Sequence, residues 1–481
     1  MSTARKNTWY WINSAISLLL MFGFGFLPAP DSITPMGMKV LGSFLGLLYG
    51  WMFVELGWPS LFGVLSLSLS GVMTMDQILV AGIGNSTFAL VLFMLIFAAL
   101  VDSVGGCKYI ATYCITRKWM SGRPWVFISI FLFAAYVMGA AINSVPVILV
   151  FWAILYSICK QCGYKPFDQF SSFMVIGVFY ASVLGLAVFP FKTMPLVVLG
   201  TFQKLGGPAI DYLSFFLFTL PLTILCLIVY LLMGKFVFKI DTKALAQIRL
   251  DEIDKSDLKL DRTKKLVLGA LLLLIVLMLI PSVLPKDFVL TQVLSKWTTT
   301  GIPMLFIGFF ALLKFGGEPV LPLQKVAAQG VKWDVMFLVM AVLPFSSAIQ
   351  SEDCGITAFM MDKFAPFLSG KSSMFFIIAV MVVALILTNF LNNALAGSII
   401  LPVVYPFLGA MGIDPVIMCM LLIIVLNLAI LTPAASPMAA VCFSNSAWVK
   451  MKDIYKFCIP SCIVAFLICV VLGIPLSNII F

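Results

Sequence analysis

Two stretches, AAINSVPVILVF (140–151) and FLNNALAGSIILPV (390–403), decide how this chain folds. Each places an asparagine inside an apolar run that is too long for a single membrane crossing, since a transmembrane helix needs about 20 residues. The polar interruption falls near the middle of each run. We therefore predict that 125–158 and 372–410 are re-entrant hairpins with Asn143 and Asn393 at their tips.

The composition excludes a water-soluble protein. Of the 481 residues, 62% are hydrophobic and 10% are charged, whereas a soluble domain is about half apolar and a quarter charged. Only helices and closed barrels satisfy their backbone in lipid, and the long continuous apolar runs are unlike the short alternating strands of a barrel. The sequence therefore predicts an all-α polytopic protein of the cell membrane, with the lipid bilayer around it.

The remaining hydrophobic runs predict single spans, and two of them are interrupted by prolines. The first run reads as a span, because it is long and no clear signal-peptide cleavage site follows it. We place the predicted spans, apart from the two hairpins, at 8–28, 36–54, 58–74, 86–104, 167–202, 212–233, 266–284, 288–313, 334–350, 415–447 and 455–479.

A single long hydrophilic segment, 235–265, divides the chain into two halves. The spacing of Ile240, Leu245, Ile248 and Leu250 predicts an amphipathic surface helix within it. The predicted organisation is a first repeat over 1–234, a cytoplasmic linker over 235–265, and a second repeat over 266–481.

The distribution of basic residues predicts the orientation. With a cytoplasmic N-terminus and two re-entrant hairpins, most of the 30 Lys and Arg residues fall on the cytoplasmic side, as the positive-inside rule requires. The net charge of +10 is therefore explained by membrane topology, and we predict no nucleic-acid partner.

The two halves repeat one another in their interruptions. Each hairpin is followed by a span broken by proline, GLAVFPFKTMP (185–195) within 167–202 and LAILTPAASPM (428–438) within 415–447. In the predicted orientation the hairpins enter from opposite sides, which makes the halves inverted repeats. The broken helices of such repeats usually meet at the membrane midplane and form the substrate site. Ordinary kinks in membrane helices are the alternative.

The chemistry of the hairpin tips suits small ions. Half-helix N-termini attract anions, and unwound carbonyls bind small cations. The side chains of Asn143, Ser144, Asn392 and Asn393 can donate to a carboxylate or offer oxygen to a metal cation. Interhelical hydrogen bonding, which is common in membrane bundles, is the alternative role for each.

The charges inside the membrane favour an anionic substrate. All acidic residues fall in loops or near span ends, whereas Lys192 lies deep inside a predicted span. A charge at that depth costs about 2.5–3.5 kcal/mol on insertion scales and needs compensation. Three roles for Lys192 remain open: extension to the membrane interface, direct pairing with the substrate anion, or replacement of a bound cation.

The sequence gives little support for a metal centre or an enzyme. There is no histidine, and the lone CxxC of Cys159 and Cys162 is weak support for a metal site without a second pair. With neither a nucleophile–base pair nor a buried carboxylate in view, we predict no enzymatic activity and no cofactor, with sodium as a candidate coupling ion.

The layout resembles the divalent anion/sodium symporter family, which carries di- and tricarboxylates and sulfate within the ion transporter superfamily. The resemblance rests on ILTPAASPMAAVCFSNSAWVKMKDIYKFCIP (430–460) and LNNALAGSIILPV (391–403). It implies inverted repeats, each with a hairpin and a broken helix, an elevator-type transport domain and a homodimer. It also adds Thr193 and Ser436 as substrate-binding residues and makes Asn143 and Asn393 candidate sodium ligands.

The sequence departs from that family at both tips. Ile142-Asn143-Ser144 and Asn392-Asn393-Ala394 keep the asparagines of the Ser-Asn-Thr motifs, and Lys192 is new. The prediction is a secondary active transporter of a small organic or inorganic anion of the di/tricarboxylate or sulfate class, working by sodium symport or anion exchange. The alternatives are an anion channel or uniporter, and a sodium/proton antiporter of the same superfamily.

Overall fold

The computed structural model describes residues 3–30, 32–115, 122–142, 144–247, 260–285, 287–315, 317–368 and 371–481. Within these ranges the fold is helical except for two antiparallel strands of two residues, β1 (Lys314–Phe315) and β2 (Glu318–Pro319). The helices are α1 (Thr3–Gly23), α2 (Pro35–Phe53), α3 (Gly57–Ser70), α4 (Met75–Gly82), α5 (Ser86–Ser103), α6 (Gly106–Ile115), α7 (Pro124–Ala141), α8 (Ser144–Gln161), α9 (Gln169–Gly185), α10 (Thr193–Lys204), α11 (Tyr212–Leu232), α12 (Arg262–Val283), α13 (Val289–Leu312), α14 (Leu323–Gly330), α15 (Trp333–Ile349), α16 (Ile356–Leu368), α17 (Ser373–Phe390), α18 (Asn393–Ala410), α19 (Pro415–Leu426), α20 (Pro437–Ser444), α21 (Met451–Ile468) and α22 (Ile474–Ile480).

The helices confirm a multi-pass membrane protein. Ten helices in the described ranges are long and apolar enough to cross a membrane, or eleven if the bent pair α14–α15 forms one span. Each predicted span overlaps at least one of the observed helices. Four short helices were not predicted, namely α4, α6, α14 and α16, because each is shorter than a membrane crossing.

Polar residues at the helix starts explain why acidic side chains gather near span ends. The Asp211 carboxylate accepts a hydrogen bond from the Ser214 N–H at 2.9 Å, and Asp414 accepts one from Val416 at 2.8 Å. These caps satisfy N–H groups that have no partner inside the helix. The first turn of each of these two helices is thereby fixed.

Two successions of eight helices, α4–α11 and α14–α21, follow the same plan. Both begin with an eight-residue helix, and α7, α8, α17 and α18 all contain 18 residues. The two series also pack on one another. A Cβ atom on Gly82 of α4 would overlap the Met340 carbonyl of α15, and one on Gly330 of α14 would overlap the Ala99 side chain of α5. The short first helix of each series therefore rests on the long second helix of the other.

Loop contacts place the helix ends on two faces. Thr34, before α2, donates its N–H to the Cys354 carbonyl at 3.1 Å and its hydroxyl to the Asp353 carbonyl at 2.7 Å. Gly105, after α5, lies beside the Lys264 side chain at the start of α12. Helix α15 starts beside α5 and ends beside Thr34, so these two contacts mark opposite faces of the bundle.

The predicted linker helix lies largely outside the described residues. Ile248 and Leu250 are among the residues that the structure does not describe. Ala244–Gln247 form one short 3-10 turn, and Ile240 and Leu245 are buried. The amphipathic helix over this segment stays a prediction.

Candidate functional site

The first hairpin consists of α7 and α8. Helix α7 ends at Ala141, Ile142 is extended, and α8 begins at Ser144. Asn143, the predicted tip residue, lies outside the described residues. The Ser144 hydroxyl is buried and donates to the Ser182 carbonyl at 3.2 Å. This hydrogen bond ties the hairpin tip to the end of α9.

The first broken helix consists of α9 and α10. Helix α9 ends at Gly185 and α10 begins at Thr193, with Lys192 as its N-cap. Glycines allow the break to lie directly on the hairpin: a Cβ on Gly139 would overlap the Ser182 backbone, and one on Gly185 would overlap the Tyr136 carbonyl. The sequence therefore brings this hairpin and this break into backbone contact.

Asn389 connects the second hairpin to the second broken helix. Helices α17 and α18 form that hairpin, and α19 and α20 are separated by the irregular segment 427–436. The Asn389 amide donates to the Leu428 carbonyl at 3.1 Å, and its oxygen accepts from the N–H groups of Ile430 and Leu431 at 3.0 and 2.7 Å. The Thr432 hydroxyl donates to the backbone carbonyl of Asn389. One side chain thus replaces the backbone hydrogen bonds that a continuous helix would form.

Asn427 joins the two broken helices. It lies at the end of α19, is 1% exposed, and donates its amide to the Val183 carbonyl near the end of α9. Chain breaks that are distant in sequence are therefore held together at the centre of the bundle. Sequence analysis did not single out Asn427, although an asparagine inside an apolar run is the signal that identified the hairpins.

The hairpins and breaks converge on one cavity of about 490 Å³. Its wall includes Ile142 from the first hairpin, Thr193 from the first break, Asn393 from the second hairpin and Pro437 from the second break. The opposite side is formed by residues of α5, α12, α14 and α15. The four interruptions that the sequence marked as a candidate site therefore do line a common cavity.

Lys192 lies in this cavity, held at the tip of the first hairpin. Its side chain is half-buried and donates from Nζ to the Ile142 carbonyl at 2.7 Å. The ammonium has no acceptor for the N–H groups of α10 and does not cap that helix. This placement disfavours extension to the membrane interface and keeps the other two roles of Lys192 open.

The remaining predicted site residues fall into two groups. Thr193, Asn392 and Asn393 line the cavity. The oxygens of both asparagines accept from the Ala394 N–H, at 3.1 Å from Asn392 and 2.9 Å from Asn393.

Ser144 and Ser436 are placed differently. Both are buried, and neither is among the residues that line the cavity. The Ser436 hydroxyl donates to the Ala429 carbonyl at 3.0 Å and accepts from the Ala439 N–H at 3.1 Å as the N-cap of α20. In this conformation the two serines fix the tip and the break rather than face the cavity.

Two charged residues of the cavity were missed by sequence analysis. Asp102, near the end of α5, lines the cavity, and so does Lys332 at the bend between α14 and α15. Asp102 lies near a span end, as predicted, but this end of α5 lines the cavity, so a carboxylate contributes to the candidate site. Its position in sequence gives the depth along one helix and does not reveal which neighbours meet there.

Four helix N-termini face the cavity together. Residues within the first turn of α8, α10, α18 and α20 contribute to its wall. Each N-terminus carries a partial positive charge that attracts anions, although Asn392, Asn393 and Ser436 already accept from N–H groups of α18 and α20. With Lys192 among them, the cavity is electrostatically suited to a small anion.

Sequence comparison gives the family. The family model described as citrate transporter matches residues 44–394, which extend from α2 to the tip of the second hairpin. The chain belongs to the citrate transporter family. This membership confirms the resemblance to divalent anion/sodium symporters and shows a transporter rather than an enzyme.

A curated relative supports the citrate transporter assignment over the full length. It is the sodium-dependent dicarboxylate transporter SdcS of Staphylococcus saprophyticus, which is 22% identical over 99% of this chain and 96% of its own length. The alignment includes both hairpins and both breaks. The substrate and the sodium dependence in that name are properties of the relative.

Solved structures show the same fold. The YdaH transporter of Alcanivorax borkumensis matches with a TM-score of 0.58 and 15% identity, covering 84% of this chain and 87% of its own. MtrF of Neisseria gonorrhoeae, described among antimetabolite efflux pumps, matches with a TM-score of 0.54 and 12% identity, covering 97% and 94%. At this identity the likeness shows a transporter fold alone.

Proposed function

We propose that this protein is a secondary active transporter that exchanges small di- or tricarboxylate anions across the cell membrane. The observation that carries the proposal is the convergence of four helix N-termini and the Lys192 ammonium on one cavity. The curated relative is named as a dicarboxylate transporter, which supports a carboxylate substrate. Sulfate also has a compatible charge.

Lys192 favours exchange over sodium symport. Its ammonium donates a hydrogen bond to the Ile142 carbonyl at the first hairpin tip. A coupling cation would otherwise use such carbonyl oxygens as ligands. A sodium ion beside this ammonium would be repelled, so the first tip, with Asn143, is a poor sodium site. Asn393 at the second tip remains a candidate ligand, and sodium symport through that tip is the alternative.

The positive charge of the empty site explains why the carrier would exchange anions instead of taking them up alone. Of the three charged residues that line the cavity, Lys192 is the one carried by the hairpins and broken helices, and moving its ammonium through the bilayer without a bound anion is unfavourable. A bound anion neutralises it. The carrier therefore crosses readily when loaded and poorly when empty, which couples uptake to release of another anion.

The proposed arrangement in the membrane follows the helix plan. Reciprocal packing of Gly82 on α15 and Gly330 on α5 supports inverted repeats, and the basic segments support a cytoplasmic N-terminus. In this orientation the end of α5 and the bend between α14 and α15 lie near the cytoplasmic face. An elevator motion of the hairpins and broken helices, and a homodimer, are implied by the resemblance and remain part of the proposal.

The test is uptake by purified protein in proteoliposomes. Labelled succinate, citrate, 2-oxoglutarate, sulfate and a monocarboxylate would each be offered with and without sodium outside and unlabelled anion inside. The proposal predicts saturable uptake of a di- or tricarboxylate that requires internal anion. Fluxes far above carrier turnover would indicate a channel instead, and absence of anion uptake together with sodium/proton exchange would indicate an antiporter.

A further inference from the structure

The cavity has a second charged wall, which the hairpins and broken helices do not supply. Helix α5 contributes Asp102 and the bend between α14 and α15 contributes Lys332, which is exposed toward the cavity. Neither residue belongs to the elements that carry Lys192. The bound anion is therefore enclosed between two groups of helices, each with its own cationic side chain.

Packing fixes both side chains in the same part of this wall. Leu95, Ala99 and Asp102 are spaced i, i+4, i+7 and so share one face of α5. Gly330 lies on that face, since a Cβ there would meet the Ala99 side chain and the Leu95 carbonyl. Lys332 follows two residues later, and Asp102 lies one turn beyond Ala99, so both charges belong to the wall that α5 and the α14–α15 bend form.

The corresponding positions in the other half of the molecule carry no charge. Gly82 of α4 packs on Met340 of α15 as Gly330 packs on Ala99. Two residues after Gly82 is Gly84, the counterpart of Lys332, and three residues after Met340 is Leu343, the counterpart of Asp102. Of these two pairs of equivalent positions, the pair on α5 and the α14–α15 bend is therefore the charged one.

We propose that Lys332 is a second anion-binding residue that acts only when the site opens to the face of α5 and α14–α15, where the Asp102 carboxylate of the same wall weakens the attraction for anions. This inference rests on the proposed function. When the hairpins and breaks carry the anion to the other face, Lys192 travels with it and Lys332 stays behind. Binding strength therefore differs between the two faces of one carrier.

The experiment compares the two faces separately. Anion exchange would be measured in right-side-out and inside-out membrane vesicles for wild type and for Lys332→Met, using citrate or succinate as the probe. We expect the KM on the α5 face to rise about five- to tenfold as one ammonium is lost, with the KM on the opposite face unchanged. Asp102→Asn should lower the KM on the α5 face.

Controls separate this effect from misfolding. Lys325→Met removes an exposed lysine of α14 that is not among the cavity-lining residues and should leave both KM values unchanged. Retained exchange from the opposite face shows that Lys332→Met is folded. An unchanged KM on the α5 face, or equal rises on both faces, would overturn the inference alone. A wild type that moves none of the tested anions would overturn the proposed function and this inference with it.

Discussion

At the scale of single residues, the account depends on a lysine and two asparagines. Lys192 lies at the first hairpin tip through its hydrogen bond to Ile142. Asn389 and Asn427 hold the unwound segments with buried hydrogen bonds. Sequence analysis found Lys192 because a charge inside an apolar run is costly. It missed Asn389 and Asn427, whose partners are backbone groups distant in the chain.

Replacing Lys192 should abolish most transport. Lys192→Met keeps much of the side-chain length but removes the positive charge, so the anion loses its pairing partner and we expect at least about a tenfold fall in exchange rate. Lys192→Arg retains the charge and should restore part of the activity.

The matched control lies at the other end of α10. Lys204→Met removes a lysine in the last turn of the same helix and should leave the exchange rate close to wild type. Proteoliposome exchange at equal protein content measures all three variants. Normal exchange by a correctly inserted Lys192→Met protein would contradict the role given to this residue.

Asn389→Leu should destabilise the second break. It removes the hydrogen bonds to Leu428, Ile430 and Leu431, each worth about 0.6–1.5 kcal/mol, and leaves buried backbone groups without partners. We expect a lower apparent melting temperature in detergent and loss of transport.

Asn427→Leu provides a graded comparison for Asn389. It removes the single hydrogen bond to Val183, so its melting temperature should fall less. Ser444→Ala removes an exposed hydroxyl that bonds to the Val441 carbonyl and should leave the melting temperature unchanged. Equal melting temperatures for Asn389→Leu and Ser444→Ala would show that Asn389 does not hold the break.

At the scale of helices, the sequence predicted where the helices are interrupted but did not predict the short helices. The pairs α7–α8 and α17–α18 were predicted because an asparagine interrupts each long apolar run. Helix α14 was missed, since LQKVAAQG is short and partly polar. That omission hid one wall of the cavity, because the bend between α14 and α15 is what brings Lys332 to it.

The contact between α14 and α5 should depend on Gly330. Gly330→Ala places a Cβ atom against the Ala99 side chain and the Leu95 carbonyl, so α14 must shift and Lys332 with it. We expect a lower melting temperature and a higher KM for the anion on the α5 face. Gly308→Ala in α13 has open space around its Cβ and should change neither quantity. Identical behaviour of the two variants would argue against this close packing.

At the scale of the whole molecule, two similar series of helices line a cavity of about 490 Å³, and membership of the citrate transporter family agrees with that arrangement. Hydropathy and polar interruptions were enough to predict the multi-pass fold and which segments meet. They could not predict Asp102 in the cavity wall, because the environment of a helix end is set by neighbours from elsewhere in the chain.

The most direct test of the central claim is the dependence of uptake on internal anion in sodium-free proteoliposomes. A carrier whose Lys192 ammonium takes the place of a coupling cation should accumulate labelled dicarboxylate quickly into vesicles loaded with unlabelled dicarboxylate. It should take up little into empty vesicles. Equal uptake into loaded and empty vesicles, or uptake that occurs only when sodium is added, would contradict it.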